Sequence, residues 1–135
     1  MVIDHIDGNA LHNDVSNLRI HCPPCDAIRR CGFSGLQEWI TVGKSAMKQV
    51  DIVCKTREIF EETGVIPHAS HIDPSVIHVR ISAVELANKL LRIPWKDLPE
   101  DYQCLRGFFT TESSHLFRNT MLSGNLDMCV CFPFI

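Results

Sequence analysis

The clearest periodic pattern in the chain lies between residues 44 and 63. Apolar side chains recur there at every third or fourth position, at Ala46, Met47, Val50, Val53, Cys54 and Phe60. A spacing near 3.6 residues places such positions on one face of a helix, and Gly64 is the kind of residue that commonly ends one. The pattern therefore predicts an amphipathic helix over 44–63.

The rest of the region after Gly32 also favours helices. Ser82 and Glu85 form a capping box, which predicts a helix that ends before Pro94. Prolines and glycines at suitable positions predict two further helices, and weak alternation predicts one short strand; these segments are 97–109, 111–122 and 77–81. We therefore predict a mainly α-helical region over 33–135.

The first 32 residues have a different pattern. Val2 and Ile3 favour a strand, residues 8–14 are rich in turn formers, and residues 17–22 favour a second short strand. Two prolines then suit the first turn of a helix over 23–31, and Gly32 suits its end. The order is strand, loop, strand, helix, so the predicted fold class is α+β with units at 1–32 and 33–135.

This N-terminal unit carries the residues with the most specific chemistry. They are an adjacent Asp4-His5 pair, the run Asn17-Leu18-Arg19, and the motif Cys22-x-x-Cys25 followed directly by Asp26. Their order and separation resemble the core of the HNH (ββα-metal) endonucleases, most closely the branch like phage recombination endonuclease VII. The resemblance covers residues 1–32, about a quarter of the chain.

The resemblance implies a metal-dependent hydrolysis of phosphodiester bonds in DNA. Asp4 would bind the catalytic cation, while His5, on the other face of the strand, would take the proton from water. Asn17 would tether the long loop by side-chain hydrogen bonds and help to orient His5. Arg19 and Arg29 are the candidates for phosphate contacts.

The second metal ligand implied by the resemblance is Asp26, where relatives usually carry His or Asn. Two carboxylates, from Asp4 and Asp26, suit Mg²⁺ or Mn²⁺ better than Zn²⁺. A competing interpretation is that Asp26 only stabilises the positive N-terminal end of its helix.

Cys22 and Cys25 are half of a structural zinc site, which needs four ligands. Relatives with this motif supply another cysteine pair upstream of the Asp-His strand. Either Met1 is an internal start and the core lacks its first elements, or the other ligands come from elsewhere. The alternatives within the chain are Cys31, His12, His21 and the pair Cys129 and Cys131.

Composition limits the classes of partner. The net charge of −3 and the pI near 6.1 do not supply the basic stripe that most nucleic-acid-binding proteins display. The longest apolar run, residues 128–135, is too short to span a membrane and contains Pro133. Seven cysteines without an export signal predict reduced thiols, and hence the cytosol or a eukaryotic nucleus.

Three interpretations remain open from the sequence. The leading one is an HNH-type endonuclease, with the helical region as a candidate surface for a protein partner. The second is a degenerate or truncated HNH module that binds nucleic acid or protein without catalysis. The third is a helical domain whose N-terminal segment does not fold. His68 and His71, followed by Asp73, could bind a metal, but the flanking prolines favour an exposed loop there. Trp39 is predicted to be a core aromatic residue and not a platform for base stacking.

Overall fold

The computed structural model describes residues 2–5, 9–93 and 97–118, with the backbone alone for 2–5 and 18–21. The strands are β1 (Val2–His5), β2 (Leu18–His21), β3 (Ile40–Lys44), β4 (Ile77–His78) and β5 (Leu105–Phe109). The α-helices are α1 (Pro23–Arg29), α2 (Cys31–Leu36), α3 (Gln49–Thr63), α4 (Ala69–Ile72), α5 (Ala83–Leu90) and α6 (Glu100–Gln103). Two 3₁₀ segments span Val15–Asn17 and Thr111–Leu116.

The described strands form two antiparallel sheets. β1 pairs with β2, and the second sheet has the order β4-β3-β5. In the second sheet Ile40 lies opposite Phe109, and Gly43 lies opposite Arg106 on one side and His78 on the other. Helices and antiparallel strands are therefore combined in an α+β fold, as predicted.

The predicted strand, loop, strand and helix order is present over residues 2–29. Pro23 and Pro24 occupy the first two positions of α1, where a missing N–H leaves no helical bond unmade. The helix ends at Arg29 rather than at residue 31, and α2 begins directly at Cys31. Gly32 was expected to end α1 but lies inside α2, where a Cβ would lie 3.0 Å from Ala87 Cβ on α5. Its small size therefore serves the packing of α2 against α5.

The long helix is confirmed over most of its predicted range. α3 begins at Gln49, because Lys44 belongs to β3 and the backbone of Lys48, the N-cap, is extended. The helix is capped at its C-terminal end by Gly64, with φ of 76°. The predicted capping box is also confirmed, since the backbone N–H of Glu85 donates to Ser82 Oγ over 3.1 Å at the start of α5. The predicted strand over 77–81 is reduced to β4, Ile77–His78.

The helix predicted over 97–109 is wrong. That stretch contains the short helix α6 and then β5, in which Leu105, Phe108 and Phe109 are buried. The prediction of a mainly helical second region therefore missed a central sheet. Of the helix predicted over 111–122, the described part is 3₁₀ up to Leu116, and residues 119–122 lie outside the described ranges.

The hydrophobic core extends across the boundary that the sequence suggests at residue 32. Residues on both sides of it share one buried cluster, among them Cys25, Ile28, Val53, Leu86 and Phe109. Helix α1 is thus packed into the same core as β3, α3 and α5. Within the described ranges, no helix combines the length and apolar character needed to cross a bilayer.

Candidate functional site

The register of β1 and β2 places two of the predicted site residues opposite each other. Asp4 pairs with Arg19, and His5 pairs with Leu18. Directly opposed positions of an antiparallel pair have Cβ atoms about 4.5–5.5 Å apart. Asp4 and Arg19 were predicted to have separate roles, whereas the register makes them cross-strand neighbours. The side chains of Asp4, His5 and Arg19 lie outside what the structure describes, so their predicted roles stay predictions.

The loop between the two strands is held by Asn17. Its side-chain Nδ2 donates to the carbonyl oxygen of His12 over 2.8 Å, and its backbone N–H donates to the carbonyl of Asp14 over 2.8 Å. Asn17 is 7% exposed, so both bonds are shielded from water. The loop-tethering bond predicted for Asn17 is therefore present. This bond does not test the predicted role of Asn17 in orienting His5.

Asp26 lies in the first turn of α1 and faces a cleft. Its side chain is 14% exposed, and its Oδ2 is 3.9 Å from Nη1 of Arg30, one turn further along the helix. A carboxylate in the first turn also interacts favourably with the helix dipole. Both interpretations of Asp26, metal ligand and helix stabiliser, are compatible with this position.

Cys22 and Cys25 are brought together at the start of α1. Their Sγ atoms are 3.0 Å apart, and the two residues are 6% and 2% exposed. Two thiolates on one tetrahedral zinc ion, at about 2.3 Å each, lie roughly 3.8 Å apart. A small widening would therefore let both sulfurs bind one ion.

The remaining zinc ligands are not assembled among the residues that the structure describes. No group of three or more His, Cys, Asp or Glu side chains suited to a metal ion occurs there. Cys31 is buried, and burial raises the pKa of its thiol to about 11. The alternative pair Cys129 and Cys131 lies outside the described ranges, as does the side chain of His21.

Arg29, a predicted phosphate contact, is half-buried on α1 and lies in the last turn of the helix. Its neighbour Arg30 is the more accessible of the two, with 56% of its side chain exposed. Arg30 also lies over the ring of Phe33, with its guanidinium carbon 5.0 Å from the ring centroid. The sequence analysis singled out Arg29, while the structure gives the more open position to Arg30.

A cleft that the sequence analysis did not predict begins beside Asp26. It has a volume of about 270 Å³ and is lined by Pro23, Asp26, Ala27, Arg30, Phe33, Ser34, Trp39, His115 and Leu116. Trp39 contacts two of these residues edge-on, with centroid distances of 5.5 Å to Phe33 and 4.8 Å to His115. Trp39 is half-buried and packs against the main hydrophobic cluster, as predicted for a core aromatic residue. It also forms part of the wall of this cleft. The separation of three residues between Arg30, which joins α1 to α2, and Phe33 in α2 is the sequence signal that could have indicated this surface.

The loop that carries His68 and His71 does not form the histidine-aspartate group considered from the sequence. Asp73 is instead buried, with Oδ2 accepting from Ser45 Oγ over 2.5 Å and Oδ1 accepting from the Ser75 N–H over 2.9 Å. His68 accepts from the backbone N–H of Ser70 at the start of α4. The segment between Pro67 and Pro74 therefore contains the short helix α4 and a buried aspartate, and is not the exposed loop that the flanking prolines predicted.

Searches with the sequence and the structure found no matching family model, no matching curated protein and no matching solved structure. The assignment of a function therefore depends on the residues and their arrangement alone.

Proposed function

We propose that the N-terminal part of this protein is an HNH-type unit that hydrolyses phosphodiester bonds in DNA. The observation that carries the proposal is the arrangement over residues 2–29. A strand that ends in Asp4-His5 pairs with the strand that follows Asn17. The helix that follows has Cys22 at its N-cap and Cys25 and Asp26 in its first turn. The hydrogen bond from Asn17 to the loop carbonyl of His12 is a second supporting contact.

The chemistry requires a general base and a cation beside the phosphate. His5 is the proposed base, since imidazole has an unperturbed pKa near 6.5 and can accept a proton from water at neutral pH. Asn17 holds the loop that precedes the strand partner of His5. Arg19 and Arg29 are the proposed phosphate contacts.

Asp4 and Asp26 are the two proposed ligands of a hard divalent cation, and the structure describes the side chain of Asp26. Asp26 offers a largely buried carboxylate oxygen at the edge of the cleft, and β1, which carries Asp4, lies beside α1. Oxygen ligands of this kind favour Mg²⁺ or Mn²⁺. Such an ion, when bound, supplies positive charge for the phosphate and acidifies a coordinated water. Cys22 and Cys25 would hold structural Zn²⁺ with ligands not yet identified.

The proposed compartment is one that keeps thiols reduced, the cytosol or a nucleus. Cys104 is exposed, and an exposed thiol persists in a reducing environment. DNA is the proposed partner.

Cleavage of supercoiled plasmid by the purified full chain tests the proposal. We expect nicking that requires Mg²⁺ or Mn²⁺, stops with EDTA, and falls about 10²- to 10⁴-fold in the His5→Ala variant. His71→Ala is the matched control, because His71 is exposed on α4 and remote in sequence from the unit. Equal cleavage by both variants, or none by the folded wild-type chain, would contradict the proposal.

A second candidate is a non-catalytic module that binds nucleic acid. The observation that favours it is a cleft with aromatic and basic walls beside Asp26. DNA binding in gel-shift assays without cleavage, by a chain whose thermal unfolding is cooperative, would select this candidate. Binding to a protein partner in place of DNA would select the protein-interaction form of the module.

A further inference from the structure

The cleft between α1, α2 and the 3₁₀ segment Thr111–Leu116 has the features of a small binding site for a planar ring. We propose that it binds one unstacked nucleobase of a single DNA strand. This inference rests on the proposed function in that it takes DNA as the ligand. It shares only Asp26 with the residues proposed for cleavage, and its other residues are Phe33, Trp39, His115 and Arg30.

The walls of the cleft are aromatic and partly open to solvent. The ring of Trp39 contacts the rings of Phe33 and His115, at centroid distances of 5.5 and 4.8 Å respectively. Phe33 is 45% exposed, which is high for a phenylalanine that contacts other rings. Base-aromatic stacking contributes about 1–3 kcal/mol per base, and every base has a face that can stack.

The charge on one wall favours a nucleotide over an uncharged aromatic ligand. The guanidinium of Arg30 lies over Phe33 and has 56% of its side chain exposed, so its cation is available to a phosphate at the mouth. Burying an apolar peptide there would remove water from Arg30 and from the carboxylate of Asp26 without replacing their hydrogen bonds. A base offers ring N–H or amino groups to that carboxylate, and its phosphate offers oxygens to the guanidinium.

The size of the cleft limits the occupant to a single ring system. Its volume of about 270 Å³ is below the roughly 300 Å³ at which sites for drug-sized ligands begin. Asp26 and Trp39 line the same cleft, so a base held against Trp39 lies close to the carboxylate proposed to bind the catalytic cation. The site would thus hold a base extruded from its stack next to the position proposed for cleavage.

Fluorescence of Trp39 provides a direct test. The chain has two tryptophans, so the Trp95→Phe variant leaves Trp39 as the only one. We titrate it in EDTA, where cleavage is blocked, with a short single-stranded oligonucleotide and with an abasic strand of the same length. We expect quenching by the intact strand, and binding weaker by about 5-fold or more for the abasic strand, the equivalent of about 1 kcal/mol of stacking.

Anisotropy of a dye-labelled strand on the wild-type chain repeats the comparison without the Trp95→Phe change. Phe33→Leu should weaken binding of the intact strand by about 5-fold and leave the abasic strand unaffected. Leu36→Ala, at a 71% exposed position of the same helix, is the control. Arg30→Gln should weaken the binding of both strands and lower the salt dependence of that binding by about one ion. Arg80→Gln, at an exposed position outside the cleft, should change neither.

Equal affinity for the intact and abasic strands, unchanged Trp39 emission on binding, or no binding of either strand would overturn the proposal. If a free nucleoside monophosphate bound as tightly as the intact strand, the proposal that the ligand is part of a DNA strand would be overturned. Plasmid cleavage measured separately with Mg²⁺ distinguishes the two proposals. Cleavage without Trp39 quenching removes only the base site, and quenching without cleavage removes only the nuclease.

Discussion

Gln49 and Gly107 are joined by two hydrogen bonds between one side chain and one stretch of backbone. Gln49 Nε2 donates to the Gly107 carbonyl over 2.8 Å, and the Gly107 N–H donates to Gln49 Oε1 over 2.7 Å. β5 is the outer strand of its sheet, so the amide of Gln49 pairs with backbone groups at the sheet edge. The first residue of α3 therefore protects an edge that would otherwise offer unpaired groups to another chain.

Replacing Gln49 with Ala should destabilise the fold by about 2–4 kcal/mol. Gln49 is 2% exposed, so the change leaves a buried N–H and a buried C=O of Gly107 without these partners. Urea unfolding measures the loss. Gln37→Ala, at an exposed position, should change stability by no more than about 0.5 kcal/mol. A similar small change in both variants would mean that water replaces the amide of Gln49 at no cost.

The stability of the protein should fall at acid pH through Asp73. The hydroxyl of Ser45, followed by the N–H of Ser75, holds the pKa of Asp73 below its ordinary value. Because the folded pKa is the lower one, this stabilisation is complete above about pH 4 and is lost as the pH falls through the folded value. Thermal unfolding as a function of pH should show a steeper acid loss for the wild type than for Asp73→Asn.

The control for Asp73 is Glu58→Gln, at an exposed position on α3, which should retain the steep acid loss of the wild type. Parallel pH curves for the wild type and Asp73→Asn would show that the bonds from Ser45 and Ser75 do not distinguish the charged from the neutral carboxyl group.

Helices α2 and α5 approach so closely at Gly35 that alanine should destabilise the protein there. A Cβ on Gly35 would lie 2.9 Å from Ala83 Cβ and 3.2 Å from the backbone N of Val84. Alanine favours a helix by about 1 kcal/mol over glycine, but overpacking against backbone costs about 1–3 kcal/mol. We therefore expect a lower unfolding temperature for Gly35→Ala.

Adding Ala83→Gly to Gly35→Ala should restore part of the lost stability, because it removes the nearer contact. A double-mutant cycle gives the coupling between the two positions. Stabilisation by Gly35→Ala alone would show that α5 can move away at no cost and would contradict the close-packing argument.

Cys31 should react slowly with alkylating reagents, and Cys104 rapidly. Burial raises the pKa of the Cys31 thiol from its ordinary value of 9.0 to about 11, whereas Cys104 is exposed. The thiolate is the reactive form, so Cys31 should be alkylated only when the fold opens. Mass spectrometry after iodoacetamide treatment at pH 8 measures both rates.

The same raised pKa predicts a loss of stability in alkali. A thiol that stays neutral in the folded state contributes fully below its unfolded pKa, and this contribution decreases between about pH 9 and pH 11. Rapid alkylation of Cys31 in the folded protein would contradict both expectations.

Local sequence signals predicted the elements whose bonds are made between near neighbours. Pro23 and Pro24 marked the start of α1, Ser82 with Glu85 marked the start of α5, and Gly64 marked the end of α3. The bond from Asn17 to a carbonyl five residues away is also local, but it was expected from the resemblance to HNH endonucleases and not from such a signal. For these elements, the chemistry of a few adjacent residues was sufficient.

The sequence could not predict β3 and β5, because each is stabilised by a partner more than 60 positions away in the chain. Leu105–Phe109 has enough apolar residues for either a helix or a strand, and burial against β3 selects the strand. The cleft at Trp39 was missed for the same reason, since His115 reaches it from a distant segment.

By itself, the sequence determined an α+β chain, the strand, loop, strand and helix order of its first part, and the residue types that could bind a cation. Tertiary structure alone decided which of those residues meet. It placed Asp4 opposite Arg19, and it brought Trp39 and His115 together beside Asp26. The reason is physical: hydrogen bonds within a turn depend on neighbours, whereas a sheet and a cleft depend on which distant apolar surfaces are buried together.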